Sequence, residues 1–226
     1  MQSTRGEIRL LKTNSVTRIQ EGIDIGLNVL STISDFKTLK GSRVVILTED
    51  GSLQLYQYDI EKKTSSMLDM TGFVRLTKEQ YCKIAGLEVE PQTNIALVKL
   101  KKNLSHRISV LKLFQLPKAN CAGQTSIREL AVHDLSESRP KMIFHDFKIY
   151  GYLRGVLLLV GVNRSLKRFF INLFGFDGNQ IDVLKVCKVP KGKINPSVYL
   201  FSFNEQIYGC DCLGQVFKVK VNHLKC

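Results

Sequence analysis

Lysine and arginine gather in this chain where acids are missing. No Asp or Glu lies between Pro91 and Arg128, a stretch that holds Lys99, Lys101, Lys102, Arg107, Lys112 and Lys118. Acids are missing again from Phe147 to Phe176, where Lys148, Arg154, Arg164, Lys167 and Arg168 occur. Lys101, Lys102 and Arg107 bracket one turn, and Arg164, Lys167 and Arg168 bracket another. Clusters of this kind hold polyanions, because each cation that meets a phosphate releases a counterion. If the two turns emerge side by side they form one positive patch. The candidate binding residues are then Lys99, Lys101, Lys102, Arg107, Arg164, Lys167, Arg168, Lys191 and Lys193. The same side chains would also solvate hairpin tips and keep sheet edges from pairing.

Other chemistry is poorly provided for. His133-Asp134 and His145-Asp146 are pairs that can ligate a metal and activate water, but a metal-dependent hydrolase needs further His and Asp ligands, and the chain has four histidines in all. Cys210 and Cys212 share one face of a strand, with His223 and Cys226 nearby, yet zinc sites usually set their paired ligands in a tight turn. Asn163-Arg-Ser-Leu-Lys-Arg168 lacks the glycines of a phosphate loop, and no Gly-x-Ser-x-Gly is present. The expectation is a non-enzymatic protein with no metal and no cofactor.

Composition sets the frame. The 226 residues are 44% hydrophobic and 23% charged, enough for one large domain with a real core. The formal net charge is +13, from 33 Lys and Arg against 20 Asp and Glu, which favours nucleic acid or another polyanion as partner. Six cysteines follow no framework spacing and read as buried small hydrophobes in a reducing compartment. The start lacks the apolar core of a secretory signal, and the most apolar run, Ile149–Val162, is broken by Arg154 and short of a bilayer span. These features lead to an intracellular, nuclear or cytoplasmic, soluble protein.

The elements that must position the cations read as strands. At 41–59 an apolar run from Val44 to Leu47 meets Asp50-Gly51, and a second run sets Leu53 and Leu55 against Tyr56 and Tyr58. Asp-Gly between two such runs signals a hairpin, since both residues tolerate the positive φ of a tight turn. Apolar residues at 23, 25, 27 and 29 predict a strand over Ile23–Val29, and a lysine-bearing loop and a short Met70–Leu76 segment follow the hairpin. Thr77-Lys78-Glu79-Gln80 has the form of a capping box that would open a helical turn near 78–86, although Tyr81–Val89 favours a strand. Strands follow at 94–100 and 107–115. Ser126-Ile-Arg-Glu129, with Ile127, Leu130, Ala131 and Leu135 at helical spacing, predicts one short helix. Further strands are expected at Lys141–Ile149, Gly155–Val162, Arg168–Phe176, Gln180–Val189, Ser197–Phe203, Gln206–Cys210 and Gln215–Val221.

Hairpins thus centre near residues 50, 103, 165 and 213, a recurrence of strand-only units that marks radial β architectures. Glu49-Asp-Gly-Ser-Leu-Gln-Leu-Tyr-Gln-Tyr-Asp59 resembles the third-strand region of a WD40-type blade, and Asp211-Cys-Leu-Gly-Gln-Val-Phe-Lys-Val is similar to it. The Gly-His and Trp-Asp dipeptides of that family are missing. The resemblance implies an all-β fold, a WD40-like β-propeller or partial propeller of about four blades, with room for one or two short helices in loops. A single domain over 1–226 would comprise units 23–76, 77–125, 126–190 and 191–226, with 6–12 as a ring-closing strand. Four blades are few for a closed ring, so a partner chain would complete an open propeller, or the chain is a piece of a longer polypeptide. The implied function is a scaffold subunit of a larger complex that binds protein partners through loop tips and sheet edges; the alternative is RNA or DNA binding by the basic tips.

Overall fold

The computed structural model describes residues 9–13, 19–24, 27, 29, 31–72, 82–102, 107–118, 126–135, 143–153, 155–165, 168–178, 181–188, 198–203, 206–211 and 214–218. The fold is all-β. It divides into two compact units, Met1–Glu79 with Leu116–Arg128, and Gln80–Gln115 with Glu129–Cys226. No helix among the described residues is long and apolar enough to cross a membrane.

In the first unit, β1 (Arg9–Thr13) pairs antiparallel with β2 (Ile19–Asp24). The strand expected at Ile23–Val29 therefore ends at Asp24, while Leu27 and Val29 pack on the next sheet without being strand residues. That sheet is a four-stranded meander of β3 (Ile33–Leu39), β4 (Arg43–Thr48), β5 (Ser52–Asp59) and β6 (Thr64–Gly72). Every residue of β4 is buried, as befits an inner strand with apolar side chains on both faces. Leu47 pairs with Leu53 across the expected hairpin, and Gly51 takes a φ of 84°, which an L side chain adopts only with strain. The lysine-bearing loop shortens to a turn at 60–63, because 64–72 is strand, held by its ladder to β5 rather than by an apolar face of its own. Arg43, buried at the head of β4, donates from Nε to the Lys40 carbonyl (3.2 Å) and from Nη1 to the Pro117 carbonyl (2.5 Å). Its burial lowers the guanidinium pKa.

In the second unit, β7 (Cys82–Glu90), β8 (Ile95–Lys102), β9 (Val110–Gln115) and β10 (Arg128–Asp134) form one meander. A second comprises β11 (Ile143–Leu153), β12 (Val156–Ser165), β13 (Arg168–Phe176) and β14 (Ile181–Lys188). The last sheet has β15 (Val198–Phe203), β16 (Gln206–Asp211) and β17 (Val216–Lys218). The strand favoured at Tyr81–Val89 is present as β7 from Cys82, so the competing helical turn is not formed over 82–86, and residues 78–81 lie outside the described residues. The helix expected from the spacing of 127–135 fails, because Arg128–Asp134 is β10, which adds to β9 as the outer strand of the β7–β10 meander. Glu129, the capping-box acid, reaches Lys112 Nζ at 2.9 Å instead.

The core of this unit joins two meanders. Leu97, Leu111 and Leu113 from one meet Phe144, Phe147 and Phe174 from the other. The three rings sit 5.1–5.8 Å apart at tilted angles, a favoured aromatic geometry. Gly161 pairs with Phe147, and a Cβ added there would meet the Phe147 ring at 2.5 Å, so glycine is what lets the ring lie flat on β12. Consecutive strands in chain order within each sheet are the blade topology of a WD40-like propeller or partial propeller.

Candidate functional site

Two of the basic turns lie at neighbouring ends of their sheets. The β8–β9 turn ends at Arg107, and the next residue, Ile108, donates its backbone N–H to the Phe144 carbonyl at 3.0 Å. Phe144 in turn pairs with Asn163, and Ile143 pairs with Arg164. Adjacent strands are about 5 Å apart, so this row sets the backbones of Ile108 and Asn163 within roughly 10 Å. Arg164 and Arg168 flank the β12–β13 turn, which closes on the Ser165–Arg168 pair. Arg107 is exposed and Lys101 half-buried. Lys167, Lys191 and Lys193 lie outside the described residues.

Lys99 and Lys102 are placed otherwise than the patch requires. Lys99 is 5% exposed, and its ammonium donates to Asp146 Oδ1 at 2.8 Å and the Phe147 carbonyl at 3.1 Å, with Glu88 at 3.5 Å. Lys102 pairs with Asp134 on β10. Lys148 likewise pairs with Glu88. Lys99, Lys102 and Lys148 of these runs are thus paired with acids on other strands, and Lys99 is a core residue rather than a phosphate ligand. One signal for this was present: Lys99 interrupts an apolar run, Ile95–Leu100, whose neighbours are buried on both faces.

The His-Asp pairs are spent on structure. His133 meets the edge of Phe174, with centroids 6.4 Å apart, and Asp134 belongs to Lys102. Asp146 follows a bulge at His145 that turns it inward. Its Oδ1 accepts from Lys99 and from its own neighbour Phe147 N at 2.8 Å, while Oδ2 accepts from Leu200 N on β15, also at 2.8 Å. One carboxylate therefore ties all three sheets of the unit together, a role that sequence reasoning missed. Among the described residues no three His, Cys, Asp or Glu side chains converge as metal ligands. Cys210 is half-buried on β16; Cys212, His223 and Cys226 lie outside the described residues.

The tip of the first unit is acidic. Glu49 is exposed, and Asp50 is bound into the turn by the Thr48 hydroxyl and by Ser52 N at 3.3 Å. The Thr48 hydrogen bond holds the Asp50 carboxyl below its ordinary pKa; burial opposes this, and bonds from Ser52 and Ser31 add to it.

With this geometry in place, the class that the topology defines is that of all-β chains built from antiparallel meanders with blade-like strand order. No protein-family model matches the chain, and no curated protein sequence does. Among solved structures, it is similar to the β-propeller domain of Nup133 from Vanderwaltozyma polyspora, at 13% identity over 95% of this chain and 70% of that one, with a TM-score of 0.44. It is similar to the WD40 domain of SCAP from fission yeast at 12% identity, over 94% of this chain and 45% of that one, with a TM-score of 0.46. The WD40 β-propeller domain of Doa1 is 10% identical over 95% of this chain and 69% of that one, with a TM-score of 0.39.

Proposed function

We propose that the chain is a non-enzymatic scaffold subunit of a larger intracellular complex, binding protein partners through its loop tips and sheet edges. What supports this best is the Asp146 tie to Lys99 and Leu200, which holds three sheets in fixed relation. Rigid sheets display loop ends at set separations, and that is how a recognition surface is pre-organised. A partner chain that completes an open propeller is part of this reading. Affinity capture of the endogenous protein at high salt, with mass spectrometry of what accompanies it, tests the reading. Protein partners in fixed proportion are expected; their absence would overturn it.

A second reading is supported by the Ile108–Phe144 bridge, which sets two basic turns at neighbouring sheet ends. RNA or DNA phosphates would be held by Lys101, Arg107, Arg164, Lys167 and Arg168, with Lys191 and Lys193 extending the surface. Charge reversal at the first five is the test: loss of nucleic-acid retention supports this reading, and unchanged retention counts against it.

A further inference from the structure

The first unit carries a sheet edge to which neither reading assigns a particular occupant. β6 ends its sheet, and among the described residues it pairs with β5 alone. Met67 and Met70 are each 53% exposed and Leu68 is 47% exposed. The ladder shifts register between Leu55 and Tyr56, so Leu68 bulges and Met67 and Met70, three residues apart, fall on the same face, opposite Tyr56 and Gln54. The strand's single charge, Asp69, accepts the Ile127 N–H. Outer strands elsewhere in the chain are charged: β10 carries Arg128, Glu129 and Asp134, and β14 carries Asp182, Lys185 and Lys188. Lysines and other charges are the usual guard against edge pairing, and β6 has no lysine.

We propose that β6 is a homodimer edge, where a second copy of this chain adds its own β6 antiparallel. A two-fold axis that sets Met67 of one copy against Met70 of the other does so twice, and it keeps both methionines on one face of the joined sheets. Charge selects a copy as the occupant. β6 begins after Lys62 and Lys63, both exposed, and it ends at Gly72, which pairs with Ser52 beside the Glu49-Asp50 tip. Antiparallel addition brings the lysine turn of each copy to the acidic tip of the other, so the match is made at both ends. Lys62 is only loosely engaged at home, 3.4 Å from Asp59 and highly exposed. The contact is one strand edge with its flanking turns, at the small end of specific interfaces, so the dimer forms reversibly with concentration.

Sedimentation of the full chain through a dilution series reads this directly. The expected mass falls from two chains to one on dilution. Met67→Lys with Met70→Lys keeps the protein monomeric at every concentration while its melting transition stays in place, since both side chains are exposed. Glu49→Lys shifts the equilibrium toward monomer, and adding Lys62→Glu and Lys63→Glu restores the dimer. A wild-type chain that is monomeric throughout overturns the proposal, as does a dimer indifferent to the lysines on β6. A monomer that takes up a strand of another protein at β6 overturns it too.

Discussion

The Lys99 ammonium sits 2.8 Å from Asp146 Oδ1 in the interior of the second unit, while Asp146 Oδ2 accepts the Leu200 N–H from a third sheet. A buried ion pair contributes little net stability compared with an apolar pair of similar volume, yet removing one partner strands a charge and costs far more. Lys99→Met is therefore expected to destabilise the protein by about 3–5 kcal/mol. Lys99→Met with Asp146→Asn should cost less than the two single changes combined, with a coupling of about 1–3 kcal/mol in a denaturant double-mutant cycle. Additive single effects would mean that the two groups act independently.

Gly161 offers a steric test. Its backbone lies against the buried Phe147 ring, and the ring is held by Phe144 and Phe174 on its other sides. Gly161→Ala forces a methyl group into that contact and should cost about 1–3 kcal/mol, read as a fall in the urea midpoint. Gly161→Ala with Phe147→Leu should recover part of the loss, because the smaller side chain vacates the contact.

Acid should act on the first unit through Asp50. Its folded pKa lies below the unfolded one, chiefly through the Thr48 hydroxyl, so the stability it contributes is present above the unfolded value. That contribution is lost as pH falls from about 4 through the lower folded pKa. Thr48→Val should flatten this part of the acid limb in a series of thermal melts, while leaving neutral-pH melting lower than wild type.

Much of the fold was legible because hairpins announce themselves locally. Asp50-Gly51 sits between two apolar-rich runs, and strands flank it as expected. β3 was hidden: its half-buried positions include Asp35 and Lys37, which pair with one another at 3.1 Å. β6 carries exposed methionines and no buried apolar face, so only its partner strand defines it. β10 misled because Ile127, Leu130, Ala131 and Leu135 satisfy a helical spacing, and a short apolar set cannot separate the two periods. Of the residues expected to bind phosphate, the placement of a turn residue was legible and that of a core residue was not. Arg107 is exposed as a tip residue should be, but the acid that claims Lys99 lies 47 residues further on.

Salt separates the two functional readings. If phosphates are bound at the tips, the logarithm of the association constant for a single-stranded RNA falls linearly with the logarithm of salt concentration, by about 0.7 per phosphate contact. Reversing Lys101, Arg107, Arg164, Lys167 and Arg168 should then abolish the slope along with the binding. Reversing Lys99 should instead unfold the second unit, because that cation is in the core.

The scaffold reading is tested most directly by capturing the endogenous protein after nuclease digestion at high salt, beside the variant with its five tip cations reversed. The account predicts that the same protein partners accompany both, in fixed proportion, with or without nucleic acid. Partners that vanish on digestion, or a wild-type chain that brings down nucleic acid and no protein, would contradict it.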